Sequence, residues 1–242
     1  MKSEPLIDAI FEFRFTGEQS AAEIIPGLLF NKLVGDVVVE RMPVSEIPRS
    51  MREQDPNLRY APLVKLDWGH YFISIGDGMI SVGSRLPYKG WEESFKPAIF
   101  TVLKCLKSFE AVKKVTRYSV KYVNIIEADS LEEQHKKIKL KISLGNDELK
   151  REQFSLKVER HNEPMIHIIS VLAGATASIA GFKEKKGVVI DIDSVVKTKE
   201  KPFNTWLEGL VDEIELVRNA NKKAFFECIT DEALKEMGPS YE

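Results

Sequence analysis

The sequence predicts an α+β protein built on antiparallel strands, and three observations point there. Runs that alternate apolar and polar residues at period two recur along the chain, the first being Phe11, Phe13 and Phe15 set against Glu12 and Arg14. Turn-forming sequences such as Gly76-Asp77-Gly78 and Asn162-Glu163-Pro164 separate several of these runs. Two stretches, 94–106 and 203–228, instead space their apolar residues as one helical stripe. An antiparallel sheet has one face to bury and an amphipathic helix one stripe, so helix laid across sheet satisfies both. Each half of the chain then reads as a β-meander packed by one long helix, which leaves room for two related lobes. The likeness between halves is one of layout, with no residue-by-residue match.

The elements follow in order. A strand runs through Phe15 and ends at Gly17. A helix is expected over 21–34, with Pro26 in its first turn and Leu29 and Leu33 on one face. Val37–Val39 suit a strand that frays at Pro43 and Pro48, and residues 49–61 read as a polar loop. Leu63–Trp68, Tyr71–Ile75 and Met79–Ser84 form three consecutive strands. The helix over 94–106 buries Phe95, Ile99, Val102, Leu103 and Leu106, with Ser94 as its N-cap and Pro97 in the tolerated first turn. A long strand, Val115–Glu127, precedes the most polar connection in the chain, 128–137. That connection divides an N-terminal lobe, 1–128, from a C-terminal lobe, 129–242, within what can also be one continuous domain.

In the second half, Ile138, Leu140, Ile142 and Leu144 alternate with polar neighbours, as do Phe154, Leu156 and Val158. Met165–Leu172 and Val188–Ile192 complete the strands. The closing helix carries Phe203, Leu207, Leu210, Ile214, Val217, Phe225 and Cys228 at helical spacing; its 26 residues would span about 39 Å. Thr230 caps a short last helix with acids in its first turn.

Composition narrows the functions. The chain has 242 residues, 43% hydrophobic and 30% charged, with a net charge of −2. No apolar run reaches the ~20 residues of a membrane span, and Glu4, Asp8, Glu12 and Arg14 interrupt the start of the chain as no signal peptide would be interrupted. Two cysteines, Cys105 and Cys228, make neither a disulfide framework nor a zinc site, and a cytoplasmic location is expected. Zincin, phosphate-loop, dinucleotide and nucleophile-elbow motifs do not occur. No metal and no cofactor is therefore assigned, and whether the chain is an enzyme is left open. His161 and His167 straddle the Asn-Glu-Pro turn and would need a shared face to act together.

Charged residues on strand faces are the remaining candidates. Arg117, Lys121 and Asn124 on the long middle strand, with Lys157, Glu159 and His161, could line a cleft that grips an anionic small molecule. Period two places Arg117 and Lys121 on one face and Asn124 on the other. The plainer expectation for all of them is the solvated face of a sheet. Residues 136–201 hold 14 Lys and Arg against 9 Asp and Glu, whereas 202–242 hold 4 against 9. The basic stretch is a minor candidate for nucleic acid, since only Phe154 and Phe182 are there to stack on bases. With no convergent nucleophile, acid–base pair or metal set, the first expectation is a binding or interaction module that takes a protein partner or a second copy of itself.

Several segments together resemble a known family. They are Pro5-Leu6-Ile7-Asp8-Ala9-Ile10-Phe11-Glu12-Phe13-Arg14-Phe15, Ile25-Pro26-Gly27-Leu28-Leu29-Phe30, Pro87-Tyr88-Lys89-Gly90-Trp91-Glu92-Glu93-Ser94-Phe95, Arg117-Tyr118-Ser119-Val120-Lys121-Tyr122-Val123-Asn124-Ile125-Ile126 and the stretch Ala224–Leu234. In this order they are similar to a sporadically distributed prokaryotic family of uncharacterised proteins. Val120-Lys121 departs from its pattern, and residues 129–200 contribute little. The resemblance implies no activity and no catalytic residues. The family's patchy occurrence implies mobile-element or defence genes, and with them a recognition or regulatory role.

Overall fold

A computed structural model describes residues 4–17, 20–107, 109 and 111–238. The chain is α+β, as its alternation and helical stripes require. Strands β1 (Leu6–Thr16), β2 (Val37–Arg41), β3 (Val64–Trp68), β4 (Tyr71–Ile75), β5 (Met79–Ser84), β6 (Lys114–Glu127), β9 (Phe154–Asn162), β10 (Met165–Ala177) and β11 (Lys185–Pro202) make one antiparallel sheet. Its order is β2-β3-β4-β5-β1-β6-β11-β10-β9. A separate two-residue ribbon pairs β7 (Ser143–Leu144) with β8 (Asp147–Glu148). Six α-helices accompany the strands: α1 (Ala21–Lys32), α2 (Arg49–Gln54), α3 (Lys96–Leu106), α4 (Leu131–Lys137), α5 (Phe203–Cys228) and α6 (Asp231–Met237).

The chain forms two compact units, each drawn from separate stretches. One comprises 9–120 and 196–215. There β1 turns Phe11, Phe13 and Phe15 inward, and Phe13 meets Trp206 at 5.3 Å and Phe203 at 6.0 Å between ring centres. Ile25 and Leu29 of α1 and Ile99, Val102 and Leu103 of α3 are fully buried in the same unit. The meander β2–β5 is local: β2–β3, β3–β4 and β4–β5 are each antiparallel neighbours. β1 then pairs with β5, Arg14 opposite Met79. Phe72 of β4 lays its ring over Gly83 of β5, where a Cβ would sit 2.0 Å from the ring, so this glycine is space for an aromatic.

The other unit comprises 1–8, 121–195 and 216–242. Its core joins Ile169 and Val171 of β10, Val188, Ile190 and Ile192 of β11, Phe225 of α5 and Ala233 of α6. Thr230 caps α6 by accepting from the Ala233 N–H, and α4 is capped in the same way by Ser130. The small-residue stretch after Leu172 continues β10 to Ala177. Its Gly174, at φ +82°, lets the backbone N–H reach the buried Gln134 side chain at 2.7 Å.

Four local expectations change. Pro26 lies in the second turn of α1, because the helix already begins at Ala21 beside Ser20. Residues 49–54 are helical. Ser94 does not cap α3: a π-helical turn, Trp91–Phe95, precedes that helix, and the Ser94 hydroxyl lies 2.7 Å from the Tyr71 hydroxyl. Residues 138–144 join the main sheet nowhere; Ile138 bridges to Ile229, and only Ser143 and Leu144 are paired further on. The sheet is also continuous in strand order: the first-half strands β1–β6 are contiguous and β9–β11 follow them, with β1 inserted between β5 and β6 and not at the start of a meander.

Gly187 supplies a test of the packing between β6 and β11. A Cβ there would lie 2.0 Å from the Ile126 carbonyl oxygen and 2.8 Å from its carbon, both backbone atoms that cannot swing aside. Gly187→Ala is expected to cost about 1–3 kcal/mol, read as a lowered midpoint in urea unfolding. An unchanged midpoint would show that the two backbones do not approach so closely.

Candidate functional site

The polar set expected on the strand faces is largely neutralised or dispersed. Within the first unit, Arg117 of β6 lies 3.4 Å from Glu12 of β1, and Glu12 also holds Arg14 at 2.9 Å. Within the second, Lys121 lies 2.9 Å from Asp191 of β11. Burial alone would lower the Lys121 pKa, but the hydrogen bond to Asp191 and the charges of Asp191, Asp193 and Asp8 raise it, so the amine stays an ammonium. Lys121 is thereby a cation engaged by Asp191. Asn124 is buried, and alternation along β6 puts it on the face opposite Lys121.

Register separates the remaining residues. Lys157, Glu159 and His161 sit opposite Ser170, Ile168 and Ile166, and all three are exposed. His167 is opposite Arg160 and points to the other side of the β9–β10 hairpin. The two histidines flanking the turn thus face opposite ways, because five residues and a tight turn separate their positions. Among the described residues no cluster of three or more metal-ligating side chains occurs.

His167 belongs instead to a buried polar network. Its Nδ1 lies 2.8 Å from Ser194 Oγ on β11. Asn221 of α5 donates from Nδ2 to Ser194 Oγ and to the Ile192 carbonyl, each at 2.8 Å. Burial lowers the His167 pKa, the Arg160 charge lowers it further, and Glu227 partly opposes them. Ser194 Oγ thus accepts from Asn221 and shares a second hydrogen bond with the His167 ring. A serine–histidine pair usually suggests a nucleophile, but Ser194 is fully buried, so no substrate reaches it. The network fastens α5 to the sheet through groups that must be satisfied once buried.

The other buried charge organises the loops beside β2. Arg52 of α2 donates from Nη2 to Asp77 Oδ2 at 2.8 Å and from Nε to the same oxygen at 3.1 Å. Ser20 Oγ donates to Asp77 Oδ1, and Arg52 Nη1 donates to the Ile47 carbonyl. Arg52 is only 7% exposed. One carboxylate at the β4–β5 turn therefore holds the start of α1 and all of α2. A cleft of about 410 Å3 beside it is lined by Arg41, Arg49 and Arg52 together with Glu23 and Glu46, a mixture that selects neither sign of ligand.

β2 is the surface that these anchors leave open. It is the end strand of the sheet beside β3, and Val38 and Val39 are 64% and 45% exposed. Phe30 and Val34, on α1 and the link to β2, are exposed as well. The strand at the opposite end of the order, β9, carries Lys157, Glu159 and Arg160, charges of the kind that discourage pairing with another chain. β2 offers three valines followed by Glu40 and Arg41. Sequence reading missed it because an all-valine run looks the same at the centre of a sheet as at its edge.

No protein-family model matches the chain, and no curated protein is similar to it. Among the described residues no helix is long and apolar enough to cross a membrane.

Two measurements check these networks. The folded state holds His167 below its ordinary value near 6.5, so unfolded chains bind more protons as the pH drops past that value. The stabilisation is therefore complete above about pH 6.5 and is lost as pH falls through the lowered value. Urea unfolding across pH 4–8 is expected to show this decline in the native chain and a flatter profile in His167→Gln. Asp77→Ala strands a buried guanidinium and is expected to cost about 3–5 kcal/mol. Arg52→Met with Asp77→Asn should recover part of that loss; equal losses would mean the pair is not effectively buried.

Proposed function

We propose that this chain is a protein-interaction module that takes an extended strand, from a second copy of itself or from another protein, onto the free edge of β2. The observation that carries this reading is the edge itself. Among the described residues β2 has no strand neighbour along one side, and exposed valines lie beside that edge, which is the template for strand addition. The rest of the site chemistry favours the same reading by contrast. Arg117 and Lys121, the cations an anionic ligand would need, are engaged by Glu12 and Asp191, and the Ser194–His167 pair is sealed in the core.

The experiment is native mass spectrometry on protein purified gently from its own host, alongside Val38→Lys/Val39→Lys. Exposed positions of this kind tolerate substitution within about 0.5 kcal/mol, so the variant stays folded. The native chain is expected to carry a second copy or a defined protein partner, and the lysines to release it. A complex that survives the lysines, or a chain that remains a lone monomer with no partner, would overturn the reading. A small molecule of defined mass in place of a protein would redirect it to a ligand.

A further inference from the structure

Beyond the end of β2 the chain builds a groove whose chemistry constrains the partner. Met42, the next residue, donates its N–H to the Leu63 carbonyl at 2.9 Å, and a 3-10 turn, Pro43–Glu46, leads into α2. Between that turn, α2 and the segment after it lies an open groove of about 790 Å3. Pro43, Ile47, Met51 and Leu58 supply its apolar surface, and Met51 is 60% exposed. Among the described residues Glu46 and Asp55 supply its only charges, and no cation lines it.

These two carboxylates are not used up by the fold. Glu46 makes no ion pair among the described residues. Asp55 accepts from the Asn57 N–H at 2.8 Å, a turn contact that leaves its charge in place. Of the arginines that share the neighbouring cleft with Glu46, Arg52 is committed to Asp77 and Arg49 to Glu53 at 2.7 Å, whereas Arg41 makes no ion pair among the described residues. The groove therefore combines aliphatic contact with two carboxylates that no ion pair among the described residues engages. Its walls are also fixed in advance, because Arg52 Nη1 holds the Ile47 carbonyl while its other nitrogens hold Asp77. A site set before binding loses less affinity to ordering.

We propose that the strand captured at β2 continues into this groove with a basic, aliphatic segment, in which Lys or Arg alternates with Val, Ile, Leu or Met. This inference rests on the β2 reading above. A strand advances about 3.3 Å per residue, so one or two residues carry a partner from the end of β2 to Pro43. Alternation then turns aliphatic side chains toward Ile47 and Met51 while cations reach Glu46 and Asp55. A partner rich in Asp or Glu is excluded by like charge on both sides.

The test pans a phage-displayed library of random ten-residue peptides against the full chain, then measures the selected peptides by fluorescence anisotropy. Selected sequences should be enriched in Lys or Arg beside branched aliphatic residues, and their binding should weaken as salt rises. Glu46→Gln/Asp55→Asn, in which asparagine preserves the turn to Asn57, is expected to weaken them about three- to tenfold. Val38→Lys/Val39→Lys should abolish binding. Thermal melts of both variants establish that they are folded. Peptides that need Val38 and Val39 but show no basic enrichment overturn this inference and leave the β2 reading standing. Basic peptides indifferent to the valine substitutions overturn the β2 reading and the continuity argued from it. A library that yields no binder overturns both.

Discussion

One buried carboxylate sets the geometry on which the candidate surface depends. Asp77 sits at the tip of the β4–β5 hairpin, a place where an aspartate ordinarily serves only the turn. Here it receives Arg52 and Ser20, two residues that lie 25 and 57 positions before it. A six-residue helix such as α2 is too short to persist by itself in water. Its position comes from that ion pair, and so do the position of Ile47 and the direction in which the chain leaves β2. Burying an ion pair seldom adds much net stability, since desolvation offsets most of the attraction. What it adds in this protein is placement: a mispositioned α2 would leave Arg52 charged and unmatched.

The two end strands of the sheet embody opposite solutions to one hazard. β9 is nine residues long and would be an inviting template, but Lys157, Glu159 and Arg160 among its exposed positions make added pairing costly. β2 is five residues long and ends before Pro43, so its brevity limits unspecific growth. Within that short length its exposed side chains are Val38 and Val39 followed by Glu40 and Arg41. A short edge, aliphatic in its first half and bounded by proline, can accept one strand in one place, which is a different property from being prone to aggregate. The acidic groove that follows adds a second condition to the same encounter.

Much of this fold was legible in the sequence. Apolar runs punctuated by turn residues placed β3, β4 and β5 to within a residue, alternation marked the Phe11–Phe15 part of β1, and the apolar spacing of α5 gave its full extent from Phe203 to Cys228. Those signals are local, and each reports a buried face. The failures share a different cause. α2 has no apolar stripe because its anchor is a single arginine reaching a distant turn. Residues 138–144 alternate as a strand should, but alternation specifies a face and not a neighbour. Parity along β6 assigns Asn124 and Lys121 to opposite faces. It could not show that Asp191, 70 positions later, would hold Lys121, nor that Ser194 and Asn221 would enclose His167. Edge and centre are likewise properties of strand order, which no run of valines encodes.

The pairing of β1 with β5 also bears on how the chain is made. Arg14 meets Met79, so β1 leaves the ribosome some 65 residues ahead of the strand it pairs with. At roughly 5–20 residues per second that interval lasts on the order of several seconds. Throughout it Phe11, Phe13 and Phe15 have no β5 to lie beside, while the sequence-local hairpins β2–β3, β3–β4 and β4–β5 can close as soon as they emerge. Synthesis thus presents a phenylalanine-bearing strand early and completes its shelter late, a window in which nascent-chain chaperones would meet three phenylalanines not yet covered by β5.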